Sequence, residues 1–461
     1  MGQDCPADSA IATMADQHPS RRYVRYVTGL LCIVTAFNYM DRMALAVLSP
    51  LVQADLHFSD AQLGLLTGFA FAVFYATCGI PIGRWADRGV RRDIIALAIA
   101  MWSVMTALTG AAQNLWHLFL ARIGVGVGEA GSVAPGVSLL CDYVPLKRRA
   151  GALAVMAFGT SVGILSGMAL AGWLGEVLGW RTTFVLLGLP GLVLALVVRL
   201  TLREPGRAAM DLGADSDAAA SALATLLFMF RCQTYRMLLL FLVANGFVQY
   251  GLNQWWPSYF SRLFGLAPSS VGIYLGIALG ACSGAGVLLG GVIATKSARQ
   301  GVRRPLVLSA AAMSLSIPTA AGSLFAPSVA VSGVCVGVTG LLWGISNGPV
   351  LAAQYSVVTA RMRATAGSIA VFLTSVLGFG LGPFSVGVLS DLLAASLGAT
   401  SLRYALLLPV VASVLMVVAL LAAARVLPSD LAAVSATDDT DNPMTESHRT
   451  ALRAPLEQAE T

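Results

Sequence analysis

Four charged side chains lie inside long apolar runs of this chain. Asp41 and Arg42 share one run, and Arg122 and Glu129 share another. An uncompensated charge at the centre of a bilayer costs ~2.5 to 3.5 kcal/mol, so such residues usually have a function. Arg122 and Glu129 are seven positions apart and lie within about 20° of each other on one helix face, but ~10 Å apart along the axis. We therefore expect Asp41 or Arg42 to supply their partner.

This charged cluster could exchange protons and bind an anion. Burial favours the neutral carboxyl group whereas a nearby arginine favours the carboxylate, and the balance brings such groups into the physiological range. We predict that Asp41 and Glu129 couple transport to protons, and that Arg42 and Arg122 bind substrate. Protonation could free an arginine for a substrate anion, or substrate could displace the proton. The alternative is a static ion-pair cluster that fixes two helices together.

A second candidate set is uncharged, polar or aromatic, and lies later in the chain. Its predicted substrate-binding members are Asn245, Gln249, Tyr250, Asn253, Trp343, Asn347 and Phe372. Trp255 and Trp256 either join this wall or face lipid, because tryptophan is enriched at membrane interfaces. A charged wall facing an uncharged aromatic one suits an amphipathic anion.

The composition indicates that a bilayer surrounds the elements that position these residues. Of 461 residues, 57% are hydrophobic and 11% charged, against ~25% charged in soluble domains. Apolar runs of ~20 residues match a ~30 Å hydrocarbon core. Basic residues occur in short clusters despite the net charge of +6, and the seven cysteines show no metal spacing. We predict no nucleic-acid partner, cofactor, metal or nucleophile-base pair, and hence no enzyme.

The apolar runs predict an all-α membrane protein with twelve spans. They lie near 26–52, 61–83, 94–114, 115–143, 151–174, 182–201, 236–261, 270–295, 305–326, 327–357, 365–389 and 402–425. The predicted domains are a cytoplasmic N-terminal segment 1–25, a six-helix bundle 26–201, a partly helical cytoplasmic linker 202–234, a second six-helix bundle 235–426 and a disordered cytoplasmic tail 427–461. No apolar signal core occurs in residues 1–20, so we expect the first run to be retained as a span.

Lysine and arginine on alternate connections predict the orientation. The basic residues on one side are Arg21, Arg22, Arg25, Arg84, Arg88, Arg91, Arg92, Lys147, Arg148, Arg149, Lys296, Arg299, Arg303, Arg304, Arg361 and Arg363. Cytoplasmic connections carry such an excess. We therefore place both termini in the cytoplasm, with the chain in the cell membrane, the inner one if the organism is bacterial.

The two halves repeat each other in parallel register. Asn38 and Pro50 recur twelve residues apart as Asn245 and Pro257, and the order Thr160 to Val162 returns as Thr374 to Val376. Parallel repeats are typical of transporters whose site lies between two pseudo-symmetric bundles. The second half has Val248 and Gln249 in place of Asp41 and Arg42, so we expect its wall to carry no charge.

A loop between the second and third runs carries a further pattern, Gly83-x-x-x-Asp87-Arg88-x-x-Arg91-Arg92. We predict a conformational latch there, the alternative being a positive anchor on the cytoplasmic side. The pattern resembles the signature of the major facilitator superfamily. Asn38 to Arg42, Arg122 to Ala130, and Trp180-Arg181 before Phe184 are similar to spinster-like members.

The resemblance implies alternating access around a central cavity. Spinster-like relatives handle lysolipids or sphingoid phosphates, and neighbouring anion:cation symporters handle carboxylates. We therefore expect a monomeric, proton-coupled carrier of an amphipathic or organic anion in contact with membrane lipid, working by symport or antiport. Import of a small carboxylate or aromatic acid is the first alternative. A lipid scramblase without coupling is the alternative from another class.

Overall fold

The computed structural model describes residues 20–205, 222–359 and 362–441 of this chain. The regular elements in these ranges are helices, without a strand. Only helices and closed barrels satisfy every backbone N–H and C=O group inside a bilayer, and long apolar runs form the former. Residues 1–19, 206–221, 360–361 and 442–461 lie outside the described residues. Most of the predicted N-terminal segment, half of the linker, Arg361 and the end of the tail therefore go without a structural description.

The first half forms six spans. Its helices are Arg21–Leu56, Asp60–Thr67, Phe69–Arg88, Arg91–Thr109, Leu115–Ala130, Val133–Tyr143 and Leu146–Thr201. Asp60–Arg88 and Leu115–Tyr143 each cross as one span, the second and the fourth. The last helix has 56 residues, about twice what one crossing needs. It breaks at Gly179, where φ is 77°, and so supplies the fifth and sixth spans.

The second half repeats this arrangement. Its α-helices are Ala222–Arg231, Gln233–Phe264, Pro268–Leu275, Cys282–Ala298, Arg304–Phe325, Val329–Ser356, Arg363–Leu373, Leu381–Leu397, Ser401–Ala405 and Leu407–Asp441. π-Helical turns at Gly276–Ala281 and Thr374–Gly380 continue the eighth and eleventh spans. Gly398, with φ at 52°, ends the eleventh span before the twelfth. The described residues thus contain twelve spans in two sets of six, as predicted.

Two observed boundaries refine the predicted ones. The linker contains the helix Ala222–Arg231, which agrees with a partly helical segment. The last helix continues through Pro428 to Asp441 and does not end at residue 427, where we predicted the tail to begin. Ser429 and Asp430 follow Pro428, and four apolar residues, 431–434, come next. A proline removes one backbone hydrogen bond without ending every membrane helix.

The halves meet along two helix pairs that glycines bring into close contact. A methyl group at Gly64 of the second span would lie 2.5 Å from the carbonyl oxygen of Pro383 in the eleventh. One at Gly280 of the eighth span would lie 2.8 Å from the backbone nitrogen of Leu165 in the fifth. Small residues at such crossings allow two backbones to approach. Alanine at Gly64 would require these two spans to separate.

Polar contacts close one end of the bundle, which we call the sealed end. The Asp60 carboxylate accepts hydrogen bonds from Arg262 at 2.6 and 2.8 Å, from Ser390 at 2.7 Å and from Gln53 at 2.7 Å. Asp391 in turn accepts from the backbone amides of Asp60 and its successor, at 3.0 and 2.8 Å. Asp60 and Gln53 belong to the first half, and the other three side chains to the second.

The opposite end, which we call the open end, carries the Gly83 to Arg92 loop. Trp85 is 50% exposed there, and Asp87 and Arg88 are exposed. Among the described residues, no atom outside the local chain lies within 4 Å of a methyl group placed at Gly79 or Gly83. The two ends therefore differ: contacts between the halves close one, whereas Trp85, Asp87 and Arg88 are exposed at the other.

Candidate functional site

Arg42 occupies the centre of the candidate site and contacts both halves. The first span holds its side chain in a buried position. Its Nε lies 2.5 Å from Oε2 of Glu129 in the fourth span. Its Nη1 donates to the Tyr250 hydroxyl in the seventh span at 3.1 Å. The expected partner of Glu129 is therefore Arg42, and one guanidinium links the charged half to the uncharged half.

Three aromatic rings surround this guanidinium. Its central carbon lies 5.1 Å from the ring centroid of Tyr39, 4.6 Å from that of Phe71 and 5.0 Å from that of Tyr75. Tyr39 precedes Arg42 by three residues, and Phe71 and Tyr75 are four apart, so helical spacing aligns each pair. A cation over such ring faces is attracted by ~0.5 to 2 kcal/mol per ring. Glu129 is hydrogen-bonded to the Arg42 guanidinium at Nε only. The three rings therefore add to the stabilisation of its positive charge.

Asp41 points away from this contact. Adjacent residues of a helix differ by 100° in direction, and Asp41 Oδ2 accepts a hydrogen bond from Thr106 of the third span at 3.1 Å. Its Oδ1 is buried and has no hydrogen-bond partner among the described residues. Asp41 thus lies within the first half, whereas Arg42 faces the second. That free oxygen can take up a proton without breaking a protein contact.

Arg122 and Glu129 retain unused hydrogen-bonding capacity. Glu129 is fully buried, and its Oε1 has no partner among the described residues. Arg122 is buried with its guanidinium carbon 5.7 Å from the Phe71 ring centroid, and its Nε donates to no described atom. Buried polar groups are normally satisfied. These atoms are accordingly the positions at which a proton, water or a ligand would find a partner.

The uncharged wall contributes through the seventh and eleventh spans. Tyr250 stacks on Phe379 with ring centroids 3.9 Å apart. Gln249 donates to Asn245 at 2.9 Å, one helical turn away. The stack on Phe379 orients the ring whose hydroxyl Arg42 reaches, and Asn245, Gln249 and Tyr250 are each half-buried.

The other predicted members of this wall are dispersed. Trp343 stacks on Trp256 with centroids 5.9 Å apart, and both are buried. Asn253 Oδ1 is buried without a partner among the described residues. Asn347 is exposed, and Phe372 is half-buried. The structure therefore brings Tyr250 to the charged cluster, whereas Asn245 and Gln249 bond to each other. It does not place Asn347 or Phe372 in a hydrogen bond or ring contact with the cluster.

The alternative in which Trp255 and Trp256 face lipid is wrong. Both are at most 1% exposed within the second bundle. Trp255 donates its indole N–H to the Pro383 carbonyl oxygen at 2.9 Å. For Trp255, an indole that has found an acceptor can bury its large apolar area in the core, whereas the buried Nε1 of Trp256 has no hydrogen-bond partner among the described residues.

The predicted latch residues separate into two groups. Arg91 is buried and pairs with Asp142 at 2.5 Å and with Glu204 at 2.8 Å. Arg92 donates its backbone amide to Glu204 and its side chain to Asp93. Within the described part of the chain, the side chains of Asp87 and Arg88, at the end of their helix, make no hydrogen bond or ion pair. Arg91 and Arg92 thus fix the loop to their own half, while Gly83, Asp87 and Arg88 stay available at the open end.

Sequence reasoning missed five residues of the site: Tyr39, Phe71, Tyr75, Thr106 and Phe379. The i, i+4 spacing of Phe71 and Tyr75 was a usable signal, because it places two rings on one face of the second span. Tyr39 shares a face with Arg42 for the same reason. Thr106 and Phe379 gave no local signal, since their contacts join segments 65 and more residues apart.

Comparisons with known proteins agree with this architecture. The family model for the Major Facilitator Superfamily matches residues 31–383. An MFS-type efflux pump of Mycolicibacterium smegmatis is 34% identical over 407 residues, which cover 86% of this chain and 91% of that protein. A probable L-galactonate transporter of Escherichia coli is 25% identical over 369 residues, covering 75% and 79%.

A solved structure gives the same result. The crystal structure of a bacterial homologue of the human lysosomal transporter Spinster, in an inward-facing and unoccupied conformation, superposes with a TM-score of 0.80. It is 29% identical, and the match covers 89% of this chain and 99% of that one. The family match spans most of the sequence, and the fold agrees with it. This chain belongs to the Major Facilitator Superfamily of multi-pass membrane transporters, with spinster-like members among its relatives.

Proposed function

We propose that this transporter is a proton-coupled secondary carrier that moves an amphipathic or organic anion by alternating access. The observation that carries the proposal is the position of Arg42, buried between Glu129 of one half and Tyr250 of the other. An arginine held by one carboxylate and one neutral hydroxyl can exchange the carboxylate for a substrate anion. Because Arg42 also contacts Tyr250 of the second half, an anion bound at Arg42 can alter the contact between the halves, and alternating access requires such a difference between states.

Glu129 and Asp41 supply the proposed proton sites. When Glu129 is protonated it loses its charge, and Arg42 is then free to pair with an anionic group. If the protein binds the anion while Glu129 is protonated, proton and anion are carried in the same direction, as in symport. If binding of the anion displaces the proton, the two are carried in opposite directions, as in antiport. Asp41 has an unpartnered oxygen beside Thr106, where a proton can be held within the first half.

From the basic connections we propose that the open end faces the cytoplasm, and the structure would then correspond to an inward-facing state. The sealed end then closes the route to the outside through Asp60, Arg262 and Asp391. In the opposite state we propose that Asp87 engages the second half while this seal separates. Asp87 is exposed in this structure, which supports that assignment, because a latch residue should lack a partner when the end of the protein that it closes is open.

The substrate class follows from the two walls. The arginines favour an anionic group, and the Tyr250 and Phe379 stack provides an apolar surface beside it. This combination suits a lysolipid or a sphingoid phosphate, and the efflux relative favours export. A small carboxylate is the second candidate, favoured by the relative named for L-galactonate.

Reconstituted proteoliposomes test the proposal. A thermal-shift screen against lysolipids, sphingoid phosphates and aromatic carboxylates first selects the probe that stabilises the protein most. With a pH gradient imposed, a carrier concentrates this probe on one side, whereas a scramblase only equilibrates it. Accumulation that collapses when the gradient is dissipated supports coupling. Equilibration with no accumulation at any gradient would contradict it and favour the scramblase.

The matched control is a carboxylate of the same half outside the site. Asp55 pairs with Arg181 at the sealed end and forms no hydrogen bond or ion pair with a described residue of the second half. Asp55→Asn should retain accumulation, while Glu129→Gln and Asp41→Asn should lose it with unchanged amounts of protein in the membrane. Full accumulation by both site variants would exclude them as the coupling groups.

A further inference from the structure

The linker helix Ala222–Arg231 has two different faces, and the bundle accounts for only one of them. Thr225 and Met229, four residues apart, are 0% and 2% exposed, and Met229 belongs to the hydrophobic core of the second half. Leu223, Leu226, Leu227 and Phe230 are 68%, 36%, 47% and 55% exposed. Their spacing of three, four and seven is that of one helix face. This short helix therefore presents a continuous apolar stripe away from the protein.

The end of this helix is fixed beside the start of the seventh span. Cys232 follows directly and donates its thiol to Asp430 of the last helix at 3.4 Å, and burial raises the pKa of this thiol to about 11. Asp430 also accepts from the Thr234 backbone amide at 2.7 Å. Two peptide links separate Arg231 from Gln233, the first residue of the span, so the helix ends within ~8 Å of it.

A stripe this close to the start of an apolar span is within reach of the boundary between headgroups and acyl chains. Leu240, two turns into the seventh span, is also exposed. Two exposed arginines, Arg231 and Arg236, flank the junction, and neither forms an ion pair with another described residue. An apolar stripe flanked by unpaired cations is the pattern that binds an anionic membrane surface.

We propose that the linker helix is a membrane-docking element, whose Leu223, Leu226, Leu227 and Phe230 insert into the leaflet at the open end while Arg231 and Arg236 contact anionic headgroups. In the proposed orientation this is the cytoplasmic leaflet. Docking would tie the inner end of the second half to the membrane. Thr225 and Met229 hold the helix to the bundle, so the first half would move against a fixed neighbour. This proposal does not depend on the identity of the substrate or on proton coupling.

Site-directed spin labelling of the full chain in vesicles tests the docking directly. Nitroxides are placed singly at 223, 227 and 230 in a variant lacking native cysteines, in phosphatidylcholine vesicles containing one quarter phosphatidylglycerol. Collision rates with oxygen and with a water-soluble nickel chelate are compared at each site. Val411, 66% exposed on the twelfth span, is the lipid standard. Gln300, in an exposed turn at the open end, is the water standard.

Lipid docking predicts high oxygen and low nickel collision rates at all three sites, as at position 411, with the nickel rate several-fold below that at position 300. A nickel rate equal to that at 300 would show a water-exposed helix and overturn the proposal. Low rates for both reagents would show coverage by protein, such as the undescribed part of the linker, and overturn it equally. Immersion unchanged by omitting phosphatidylglycerol would contradict the role of the arginines.

A second measurement uses the otherwise native chain. A photoreactive benzophenone amino acid at position 227 should form adducts with lipid that mass spectrometry detects. Adducts confined to peptides of the same chain would overturn the proposal. The same group at position 228, where the native phenylalanine packs against the core of the second half, controls for reaction within the bundle and should yield far fewer lipid adducts.

Discussion

Replacing Asp60 by asparagine should open the sealed end. In the present state the Asp60 carboxylate receives four hydrogen bonds, two of them from Arg262 at 2.6 and 2.8 Å. Asparagine removes the charge and turns one acceptor into a donor, which faces the guanidinium. The Asp391 contacts to the backbone amides at this position persist, so the second span should keep its start.

The size of the effect follows from burial. Hydrogen bonds to charged groups contribute ~1.5 to 3 kcal/mol, and breaking a fully buried pair costs ~3 to 5 kcal/mol. The Asp60 side chain is 8% exposed, but that of Arg262 is 29% exposed and keeps part of its hydration. We therefore expect a loss of about 2 kcal/mol from the sealed state, which is a ~30-fold change in the ratio of sealed to unsealed molecules.

Pulsed electron-electron spin resonance measures this ratio. Labels at Trp116 and Leu392, which are 69% and 72% exposed, report the separation of the two halves at the sealed end. Asp60→Asn should add a longer distance to the distribution. Asp55→Asn is the control, because it breaks an ion pair with Arg181 within one half only. An unchanged distribution in Asp60→Asn, or an equal change in both variants, would refute the role of Asp60 as the contact that closes this end.

Three further substitutions test the site and the latch. Asp87→Asn should weaken the outward-facing state and slow transport, and wild-type rates with wild-type cysteine accessibility from both sides would contradict the latch. Arg42→Ala should reduce binding of an anionic probe at least tenfold and that of a neutral analogue much less, by equilibrium binding, whereas equal losses would favour a purely structural ion pair. Tyr250→Phe removes one hydrogen bond to Arg42, a loss of ~1 to 3 kcal/mol, and should lower probe affinity while Phe379 still stacks; an affinity equal to that of the wild type would exclude the hydroxyl from binding.

The number of spans and their division into two halves could be predicted from the sequence. A bilayer requires apolar helices of nearly fixed length, so run length alone gave twelve spans, and the recurrence of Asn38 and Pro50 as Asn245 and Pro257 gave their division. The cost of an unpaired charge in lipid required a partner for Glu129, and the structure supplies it in Arg42. Because Asp41 and Arg42 are adjacent in sequence, their different contacts were not predicted. Asp41 bonds to Thr106 within the first half, whereas Arg42 reaches Tyr250 of the second half.

Contacts between residues far apart in the chain could not be predicted from the sequence. Asp60 and Arg262 are 202 residues apart, and each read singly is an ordinary polar residue on a connection. Phe379 reaches Tyr250 from a π-helical turn, whose register no apolar pattern marks. Asn347 and Phe372 have suitable side chains but make no hydrogen bond or ring contact with the charged cluster. Which residues of a span face the cluster depends on the rotation of that span about its axis. Rotation is set by packing against neighbouring helices.

Substrate-driven proton movement tests the coupling proposal most directly. The probe selected by thermal shift is added to proteoliposomes that contain a pH-sensitive dye and start without a pH gradient. The wild-type protein and Asp55→Asn should move protons when the probe is added, with a sign that distinguishes symport from antiport. Glu129→Gln and Asp41→Asn should move none. Probe transport by the wild type without any proton movement, or undiminished proton movement in both site variants, would contradict the assignment of Asp41 and Glu129 as the coupling groups.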